Sequence, residues 1–535
     1  MHRPLSRSLS GLLSRRRTFS TYTAMIFLVC LFLLSACGGG NASPNTTSNQ
    51  PKKGGNLSVG LIAEPTVLDP LTSVTLYDTD IMANIYDTLF TYDLHNTIQP
   101  ELVSSYSYPS PTVLSLTLRS GVTFQDGTPF NAEAVIFNLN RFLNDKTSPR
   151  YTDVVNIASV KQVSDLQVQI LLKQPFAPLL NVLTGSVGMM LSPTAVQKLG
   201  KKLGQAPTGV GSGPFMFVEW IKGDHLLLKA NPNYWQKDAQ GNRLPYLQTI
   251  RYRTITNGTV MYTNLETAQI QVASTIDPNE VAVAKSNASL IYKQVAGPGF
   301  GSIFMNNAAA PVNNVHVRRA IAWGINRQEI VDHVFHGVGV VAKGPVSPVS
   351  WAYNKNIVSY AYDPAKAKAE LAQSGQTNVS LTLLIQSSNP TSLQEAQFIQ
   401  SELQPVGITV TIKPEIFTTE VTDVQTFNYQ AALLGWTGSL DPDGSTYPLF
   451  TSTGGFNYTK YANSQVDTFL NAARTATNQA QRVPDYQQAE QLIVQDSPYI
   501  FINHPAVYQA TTNSVKNYAL LPSGVLDFTS VYLSS

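Results

Sequence analysis

One run of residues, LSLTLRSGVTFQDGTPFNAEAVIFNLNR at positions 114–141, constrains the fold of this chain more than any other. Its first residues alternate apolar and polar side chains, which is the period of a half-buried strand. An Asp-Gly pair and a proline then favour a tight turn. Asn131 can cap the helix that follows, and Glu133 in its first turn suits the helix dipole. The run therefore predicts strand, turn and helix, and it requires no catalytic role for any of these residues.

Later segments predict further elements of both kinds. Strands at 381–385 and 408–412 flank a helix at 393–403, and this alternation indicates an α/β lobe. Residues 160–172 alternate in the manner of one strand. Residues 315–337 carry an apolar helical stripe, which leaves three arginines for solvent or ion pairs: Arg318, Arg319 and Arg327.

The N-terminus resembles an export signal more than a membrane span. Five arginines precede the apolar run 25–34, which is shorter than the roughly 20 residues that cross a bilayer. Leu-Ser-Ala-Cys at 34–37 resembles a bacterial lipobox, which implies cleavage after residue 36 and lipidation of Cys37. The twin arginines at 16–17 resemble part of a second export signal, although a plain basic region accounts for them. Residues 37–54, rich in Gly, Asn, Ser and Thr, predict a flexible tether.

Charge and cysteine content narrow the function. Removal of residues 1–36 takes five of the 36 Lys and Arg residues, which leaves 31 against 34 acidic residues and a net charge of about −3. The basicity therefore belongs to the signal, and nothing indicates nucleic-acid binding. Only two cysteines are present, Cys30 and Cys37, so the mature domain is expected to contain neither a thiolate metal site nor a cysteine nucleophile.

The run at 118–141 also carries a resemblance to a known family. Its pattern Leu-Arg-x-Gly-Val-x-Phe-x-Asp-Gly-Thr-Pro-x-x-Ala-Glu-x-Val, followed by Asn-x-x-Arg, resembles the signature of the family 5 extracellular solute-binding proteins. IYDTLF at 85–90 and the helix at 315–337 are similar to further landmarks of that family, in the family's order. These proteins are the peptide-, nickel- and oligosaccharide-binding subunits of ABC importers.

The resemblance implies a fold and a domain organisation. The expected fold is α/β and bilobed, like the Venus-flytrap periplasmic binding proteins, with an extra inserted domain and a hinged cleft. Domain I is expected to be discontinuous, domain II to be an insertion and domain III to follow. The expected bounds are 55–85, 205–300 and 500–535 for domain I, 86–204 for domain II, and 301–499 for domain III.

The same resemblance implies a receptor in the cell envelope, expected to be a monomer, and the lipobox-like motif implies that a lipid on Cys37 anchors it to the membrane. Its partners would be a small solute and the permease subunits of an ABC transporter, and it would need no cofactor. A short peptide is the leading expectation for the solute. An oligosaccharide, a nickel chelate or an opine-like compound is the alternative within the same role.

The segment LLGWTGSLDPDGSTY at 433–447 is the main candidate for ligand contact. The family places a Gly-Trp and a following acidic stretch in the cleft, and peptide binders use a carboxylate there for the ligand's ammonium. Trp436 matches, but Ser439 occupies the acidic position and the first carboxylate is Asp441. Either Asp441 takes over this role or the ligand has no free amine. Trp436 can equally be a core residue, with Asp441 in an ordinary turn.

Four further residues are implied as cleft contacts by the resemblance. Aromatic side chains among them would give broad contact area at low cost in rotamer freedom. Each can equally be a core residue. The four are Tyr77, Tyr151, Asn306 and Phe417.

Enzymatic activity is not expected, because the motifs that carry it are missing from the sequence. Gly-x-Ser-x-Gly, His-Glu-x-x-His and paired cysteines are absent, and the Asp-Pro-Asp-Gly at 441–444 lacks the distal acids of a calcium loop. No metal site is expected either. A secreted hydrolase or an adhesin would be the competing classes, and an adhesin would show an exposed apolar groove without hinge closure.

Overall fold

The computed structural model describes residues 51–534, apart from His95 and Thr377. The predicted signal, the predicted lipidation site at Cys37 and most of the predicted tether lie outside the described residues. At the end of that tether, the Gly54 backbone N–H donates a hydrogen bond of 2.8 Å to the carbonyl of Tyr246. The chain is thus fixed to the folded part from Gly54 onward.

The strands have the following bounds: β1 Asn56–Leu61, β2 Phe90–Tyr92, β3 Ile98–Pro100, β4 Val103–Ser110, β5 Val113–Leu118, β6 Ile157–Ser164, β7 Gln167–Leu172, β8 Phe215–Ile221, β9 His225–Ala230, β10 Thr249–Thr254, β11 Val272–Ala273, β12 Leu290–Ala296, β13 Phe300–Met305, β14 Val340–Val341, β15 Val379–Gln386, β16 Ile408–Glu415, β17 Ala431–Trp436, β18 Tyr499–His504, β19 Ala506–Thr512, β20 Val515–Lys516 and β21 Tyr532–Leu533.

The helices have these bounds: α1 Leu76–Ile85, α2 Ala132–Asn144, α3 Tyr151–Val154, α4 Leu179–Val182, α5 Pro193–Leu199, α6 Gly258–Glu266, α7 Val281–Ser286, α8 Val315–Gly324, α9 Arg327–Glu329, α10 Pro364–Gln373, α11 Pro390–Leu403, α12 Phe417–Gln425, α13 Asp443–Phe450, α14 Ser464–Thr475 and α15 Gln479–Asp496.

The largest sheet has seven strands in the order β12-β19-β11-β1-β10-β9-β8. The first strand of the folded chain, β1, lies inside this sheet and pairs in parallel with both β10 and β11. Its side chains Leu57, Val59 and Leu61 are buried in a core that also receives residues near the C-terminus, including Phe528. Segments that are far apart in sequence therefore share one core.

A second sheet has six strands in the order β14-β18-β13-β17-β15-β16. Strand β15 runs parallel to β16, and helix α11 connects them and packs on both. This confirms the β-α-β unit predicted from residues 381–412. Helix α11 directs Ala396, Ile399 and Leu403 into the core on this sheet, which follows the helical spacing of its apolar residues.

A third sheet is antiparallel, with four strands in the order β4-β5-β7-β6, and helix α2 packs against it. Strand β5 buries alternate residues as predicted, and the Asn131 side chain caps α2 by accepting a 3.1 Å hydrogen bond from the Ala134 N–H. The strand-turn-helix prediction for residues 114–141 is confirmed.

The single strand predicted over residues 160–172 is wrong. The structure has a hairpin here, in which β6 and β7 pair antiparallel with Lys161 opposite Gln169. Both arms of a hairpin keep the alternating period, and the turn at 165–166 carries no glycine or asparagine to mark it. Periodicity alone therefore did not reveal the break.

The arginines of residues 315–337 were predicted to be exposed to solvent or to form ion pairs, and this prediction is wrong for two of them. Arg318 and Arg327 are buried. Arg318 donates from Nε and Nη2 to the Asp496 carbonyl, at 3.0 and 2.8 Å, and Arg327 donates from Nε to the Phe501 carbonyl at 2.6 Å. The carbonyl of Asp496 belongs to the last turn of α15, where a helix leaves its acceptors unsatisfied. The Arg318 guanidinium therefore caps the C-terminus of α15, and the Arg327 guanidinium binds the backbone of β18.

The α/β class is confirmed, while the domain bounds stay a prediction. Strand β18 runs to His504 and pairs with β13 in the six-stranded sheet, which places its end beyond the predicted limit of domain III at residue 499. In the part of the chain that the structure describes, no helix is both long enough and apolar enough to cross a bilayer.

Candidate functional site

A cavity of about 830 Å³ is lined by residues of the seven-stranded and six-stranded sheets and by helices and loops next to the four-stranded sheet. Helix α1, the strand β2 and the segment 181–189 line one part of it. The ends of β13 and β17 and the helices α11, α12 and α13 line another part. Its size is within the range of small-molecule sites in proteins. The cavity is called the cleft below.

Strand β17 borders the cleft with an open backbone edge. It pairs with β13 over its full length, from Ala431 to Trp436. On its other side it pairs with β15 only at Ala431 and Ala432. Residues 433–436 line the cleft, and no strand within the described residues pairs with their free side. An unpaired edge of this kind can accept an extended backbone as an added strand.

Four of the seven predicted contact residues line the cleft: Tyr77, Phe417, Trp436 and Ser439. The rings of Tyr77 and Phe417 meet edge to face, with centroids 5.5 Å apart, although they belong to helices α1 and α12. Burial raises the pKa of Tyr77, so its hydroxyl stays protonated near neutral pH. The two rings thus form an apolar wall with one polar tip.

Trp436 is half-buried and held in place from two sides. Its indole Nε1–H donates to the Gly444 carbonyl at 3.0 Å, and its ring meets that of Phe456 edge to face at 5.0 Å. Ser439 lies on the loop that follows, and its Oγ donates to Asn181 Oδ1 at 3.3 Å. The end of β17 and the loop after it therefore present an aromatic face and a hydroxyl to the cleft.

Asp441 does not line the cleft, which corrects its predicted role as the partner of a ligand amine. Both of its carboxylate oxygens accept hydrogen bonds from Arg482, at 2.7 and 2.8 Å, in a bidentate pair. The side chains are only 13% and 5% exposed. A bidentate guanidinium leaves such a carboxylate little capacity for a second cation.

Asn306 and Tyr151 also lie outside the cleft lining. Asn306 is buried, and its amide donates to the carbonyls of Phe427 and Tyr429 at 3.1 and 2.9 Å, so it braces the turn before β17. Tyr151 packs against the core of the four-stranded sheet. A buried amide or an aromatic at a motif position satisfies the fold as readily as it satisfies a ligand, which is why the sequence did not separate the two roles.

Two cleft residues that sequence reasoning missed are Glu395 and Glu420. Burial raises the pKa of each carboxyl to about 8. A signal was present for both. Glu420 lies three residues after Phe417 and therefore on the same face of α12, and Glu395 lies four residues before Ile399 on the buried stripe of α11. A charged residue on a buried helical face indicates a functional candidate.

A buried ion pair borders the cleft. Asp443 lines the cleft and binds Arg474 through two hydrogen bonds of 2.8 Å each. Arg474 also donates from Nη1 to the Thr152 carbonyl at 2.9 Å, and its own carbonyl accepts from the Ala177 N–H at 2.9 Å. Arg474 thus joins helix α14 to segments around the four-stranded sheet.

Among the described residues, which leave out His95, no group of three or more His, Cys, Asp and Glu side chains is arranged to hold a metal ion. The cleft lining combines carboxyl, amide and hydroxyl groups with aromatic rings and many aliphatic side chains. Such a lining is suited to binding an organic solute by hydrogen bonds, ring contacts and charge.

The chain is similar in sequence and in structure to known solute-binding proteins. Residues 97–457 match the model of the bacterial extracellular solute-binding proteins, family 5 Middle. The glutathione-binding protein GsiB of Salmonella typhi is 32% identical over 478 residues, which cover 86% of this chain and 91% of GsiB.

Two solved structures are similar over nearly the whole chain. The periplasmic binding protein DppA of Helicobacter pylori, in complex with the peptide STSA, is 26% identical, with a TM-score of 0.84 and coverage of 90% and 99% of the two chains. The oligopeptide-binding protein AppA of Bacillus subtilis, in complex with a nonapeptide, is also 26% identical, with a TM-score of 0.84 and coverage of 91% and 100%. These similarities confirm the bilobed binding-protein fold predicted from the sequence.

Proposed function

The chain belongs to the bacterial extracellular solute-binding proteins of family 5, and we propose that it captures a short peptide in the cleft and delivers it to an ABC permease. The observation that carries the peptide is the open edge of β17 at residues 433–436, which borders a cavity of about 830 Å³. An unpaired strand edge recognises the backbone of a peptide whatever its side chains. A sugar or a metal chelate offers no matching row of amide groups.

The aromatic lining supports the same solute. Tyr77, Phe417 and Trp436 provide wide, rigid contact surfaces that tolerate varied side chains. Together with Ser439 they are the ligand contacts that we propose. DppA and AppA, both in complexes with peptides, share the fold over nearly their full lengths.

Delivery requires that the solute stabilise one conformation of the receptor over another. A ligand shifts such an equilibrium only by its difference in affinity for the two states. The contacts of Arg474 and Ser439 join segments on the two sides of the cleft, so they are available only when those segments meet. A solute bridging both sides would favour this closed arrangement, which the permease is proposed to recognise.

We also place the protein at the membrane by a lipid on Cys37, as a monomer. The support is the Leu-Ser-Ala-Cys motif and the polar stretch after it, of which only residues 51–54 are described, and the extracellular location of the family.

Native mass spectrometry of the full-length chain, expressed with its own leader and purified gently, tests these proposals. We expect heterogeneous adducts with the masses of short peptides, because backbone recognition accepts many sequences. The mass of the processed chain reports in the same spectrum whether Cys37 is the acylated first residue.

Other outcomes have defined meanings. A single adduct with the mass of a sugar or a metal chelate would contradict the peptide while leaving the receptor role. A protein that carries no adduct and binds no member of a peptide pool would contradict the proposed function itself.

A further inference from the structure

A second cavity, of about 790 Å³, lies beside the cleft and has a mainly polar lining. The hairpin of β2 and β3, the turn after β5 and the segment 233–243 contribute to it. Three of its lining residues are cations, namely Arg119, Lys237 and Arg243, and it is called the basic cavity below. The chain without its predicted signal has a net charge of about −3, so this cluster is opposite in sign to the protein as a whole.

Lys237 and Arg243 lie directly opposite each other in a short hairpin. Their backbones form an antiparallel bridge, so the two side chains share one side of the hairpin, with Cβ atoms about 5 Å apart. Like charges in directly opposed positions are destabilising. Asp238, in the turn, does not neutralise them, because its carboxylate accepts hydrogen bonds from the Tyr246 hydroxyl and from backbone N–H groups of the turn itself. An anion between the two cations would relieve their repulsion.

The guanidinium groups of the basic cavity are held in place but keep free donors. Arg119 lies over the Trp235 ring, 4.7 Å from its centroid, and its Nε donates to the Glu101 carbonyl at 2.9 Å. Its Nη1 and Nη2 donate to no acceptor among the described residues. Arg243 donates from Nη1 to the Pro232 carbonyl at 2.8 Å. A fixed planar group with free N–H donors matches the oxygens of a phosphate.

The Glu101 side chain, the one acid among the lining residues of the basic cavity, does not cancel these charges. Its Oε2 accepts hydrogen bonds from the N–H and the hydroxyl of Thr88, at 2.8 and 2.5 Å. Loss of solvation, together with the nearby Asp87, raises the pKa of the Glu101 carboxyl to about 8, so it is mostly neutral at pH 7. The basic cavity therefore keeps its positive charge.

The basic cavity lies next to the point where the predicted tether joins the fold. The Gly54 N–H donates to the carbonyl of Tyr246, three residues after Arg243. Lys53 is exposed and directly precedes Gly54, so it adds positive charge at this point. The proposed lipid on Cys37 is 17 residues away from Gly54, a length of chain that spans at most roughly 60 Å. A bilayer that holds the lipid is thus within reach of this face.

We propose that the basic cavity binds the phosphate of an anionic phospholipid headgroup and thereby orients the receptor on the membrane that anchors it. Arg119 and Arg243 supply forked donors for phosphate oxygens, and Lys237 supplies a point charge. Ser120 and Asn233 line the same cavity and add a hydroxyl and an amide donor. The inference names a second site beyond the proposed peptide cleft, and it rests on the proposed lipid anchor.

Hydrogen exchange of the full-length, processed protein on vesicles tests this site. One set of vesicles contains phosphatidylcholine alone, and the other contains phosphatidylcholine with phosphatidylglycerol. On the anionic vesicles we expect backbone amides in 119–121 and 233–243 to exchange roughly 10-fold more slowly, because each cation near an anionic surface favours docking by roughly fivefold. High salt should abolish the difference by screening these charges.

The double variant Lys237→Gln with Arg243→Gln removes two charges from the basic cavity. We expect it to lose the slow exchange on anionic vesicles, and its melting temperature should not fall, because the substitutions remove a repulsion. Lys201→Gln with Lys202→Gln is the matched control, since both lysines are exposed and neither lines the basic cavity or the cleft. The control should keep the slow exchange, and both double variants should bind peptide as the unaltered protein does.

Three results would overturn the headgroup site while the peptide receptor stands. They are equal exchange on the two kinds of vesicle, slow exchange that survives the double substitution, and an equal loss of slow exchange in the control.

Titration of the detergent-solubilised protein with glycerol phosphate separates a lipid from a free anion. We expect binding only at millimolar concentrations or above, since the free anion lacks the bilayer that holds the headgroup beside the cavity. Micromolar affinity would show a site for a small soluble anion and overturn the lipid as its occupant. A processed protein that does not stay on vesicles of phosphatidylcholine alone would overturn the lipid anchor, and this inference with it, without affecting the proposed capture of peptide.

Discussion

At the scale of single residues, Glu420 is a carboxyl whose burial works against stability. Burial raises its pKa in the folded protein to about 8, from an ordinary value near 4.5. Between about pH 4.5 and pH 8, the carboxyl of Glu420 stays protonated in the folded state but loses its proton in the unfolded state. The folded state therefore binds more protons, and its stability falls as the pH rises through this window. Above about pH 8 the loss is complete.

Glu420→Gln should remove this loss, because an amide does not ionise. We expect the ligand-free variant to be more stable than the unaltered protein at pH 8. The difference should shrink by about 1.4 kcal/mol for each pH unit on going down toward pH 5. Urea unfolding at pH 5, 6.5 and 8 measures it. Glu133→Gln should show no such trend, and parallel pH profiles for Glu420→Gln and the unaltered protein would contradict the expectation.

Asp441 shows how a residue's neighbours decide its role. Its position after Trp436 suggested a contact with the ligand, but Arg482 occupies both of its oxygens. Arg482 lies on α15, 41 residues further along the chain. Local sequence therefore indicated a carboxylate near the cleft, while a distant helix determined what the carboxylate binds.

At the scale of elements, the loop after β17 depends on a glycine. Gly438 has a φ of +77°, in the left-handed region that other residues adopt only at a cost. A Cβ at this position would lie 2.2 Å from the Pro298 carbonyl oxygen. The loop that carries Ser439 is thus pressed against the segment before β13, and only glycine permits this approach.

Gly438→Ala should displace this loop and weaken binding of the solute. We expect a loss of stability of roughly 1–3 kcal/mol from overpacking, in addition to about 1–2 kcal/mol for the left-handed backbone. Gly127→Ala is the matched control, because Gly127 has a φ of +87° but open space around its Cβ. Gly127→Ala should lose only the stability that the left-handed backbone costs, without the overpacking. Thermal unfolding and peptide titration compare the two, and equal effects would show that the contact with Pro298 does not matter.

At the scale of the whole molecule, segments on either side of the cleft meet at close range. The guanidinium of Arg150 lies over the ring of Phe456, 4.8 Å from its centroid. Beside it, a Cβ at Gly455 would lie 1.9 Å from the Pro149 carbonyl oxygen. These two chain segments can approach this closely only because position 455 has no side chain.

Gly455→Ala should therefore act as a wedge. We expect it to disfavour the closed arrangement by roughly 1–3 kcal/mol and to reduce the binding free energy of the peptide by a similar amount. Small-angle scattering should show that peptide compacts the unaltered protein but compacts the variant less. Gly127→Ala is again the control, since no atom lies within 4 Å of a Cβ at this position and Gly127 does not line the cleft. Equal compaction in the wedge variant and the control would contradict this account of closure.

The sequence by itself determined the local structure and the family. The alternation in β5, the cap at Asn131 and the β-α-β unit at 381–412 depend on neighbours within a few residues, so they could be predicted. Aromatic and hydroxyl groups at Tyr77, Phe417, Trp436 and Ser439 were predicted by resemblance to the family, and the structure brings these four to one cleft.

Only the tertiary structure decided which carboxyl groups are paired within the protein. Whether a carboxylate is satisfied depends on groups that arrive from other segments. Arg482 takes Asp441 and Arg474 takes Asp443, while nothing within the described chain reaches Glu395 or Glu420. Burial and pairing are properties of the packed molecule, because desolvation and charge act through space and not along the chain. For that reason the sequence indicated where the cleft lies, and the fold determined its charge.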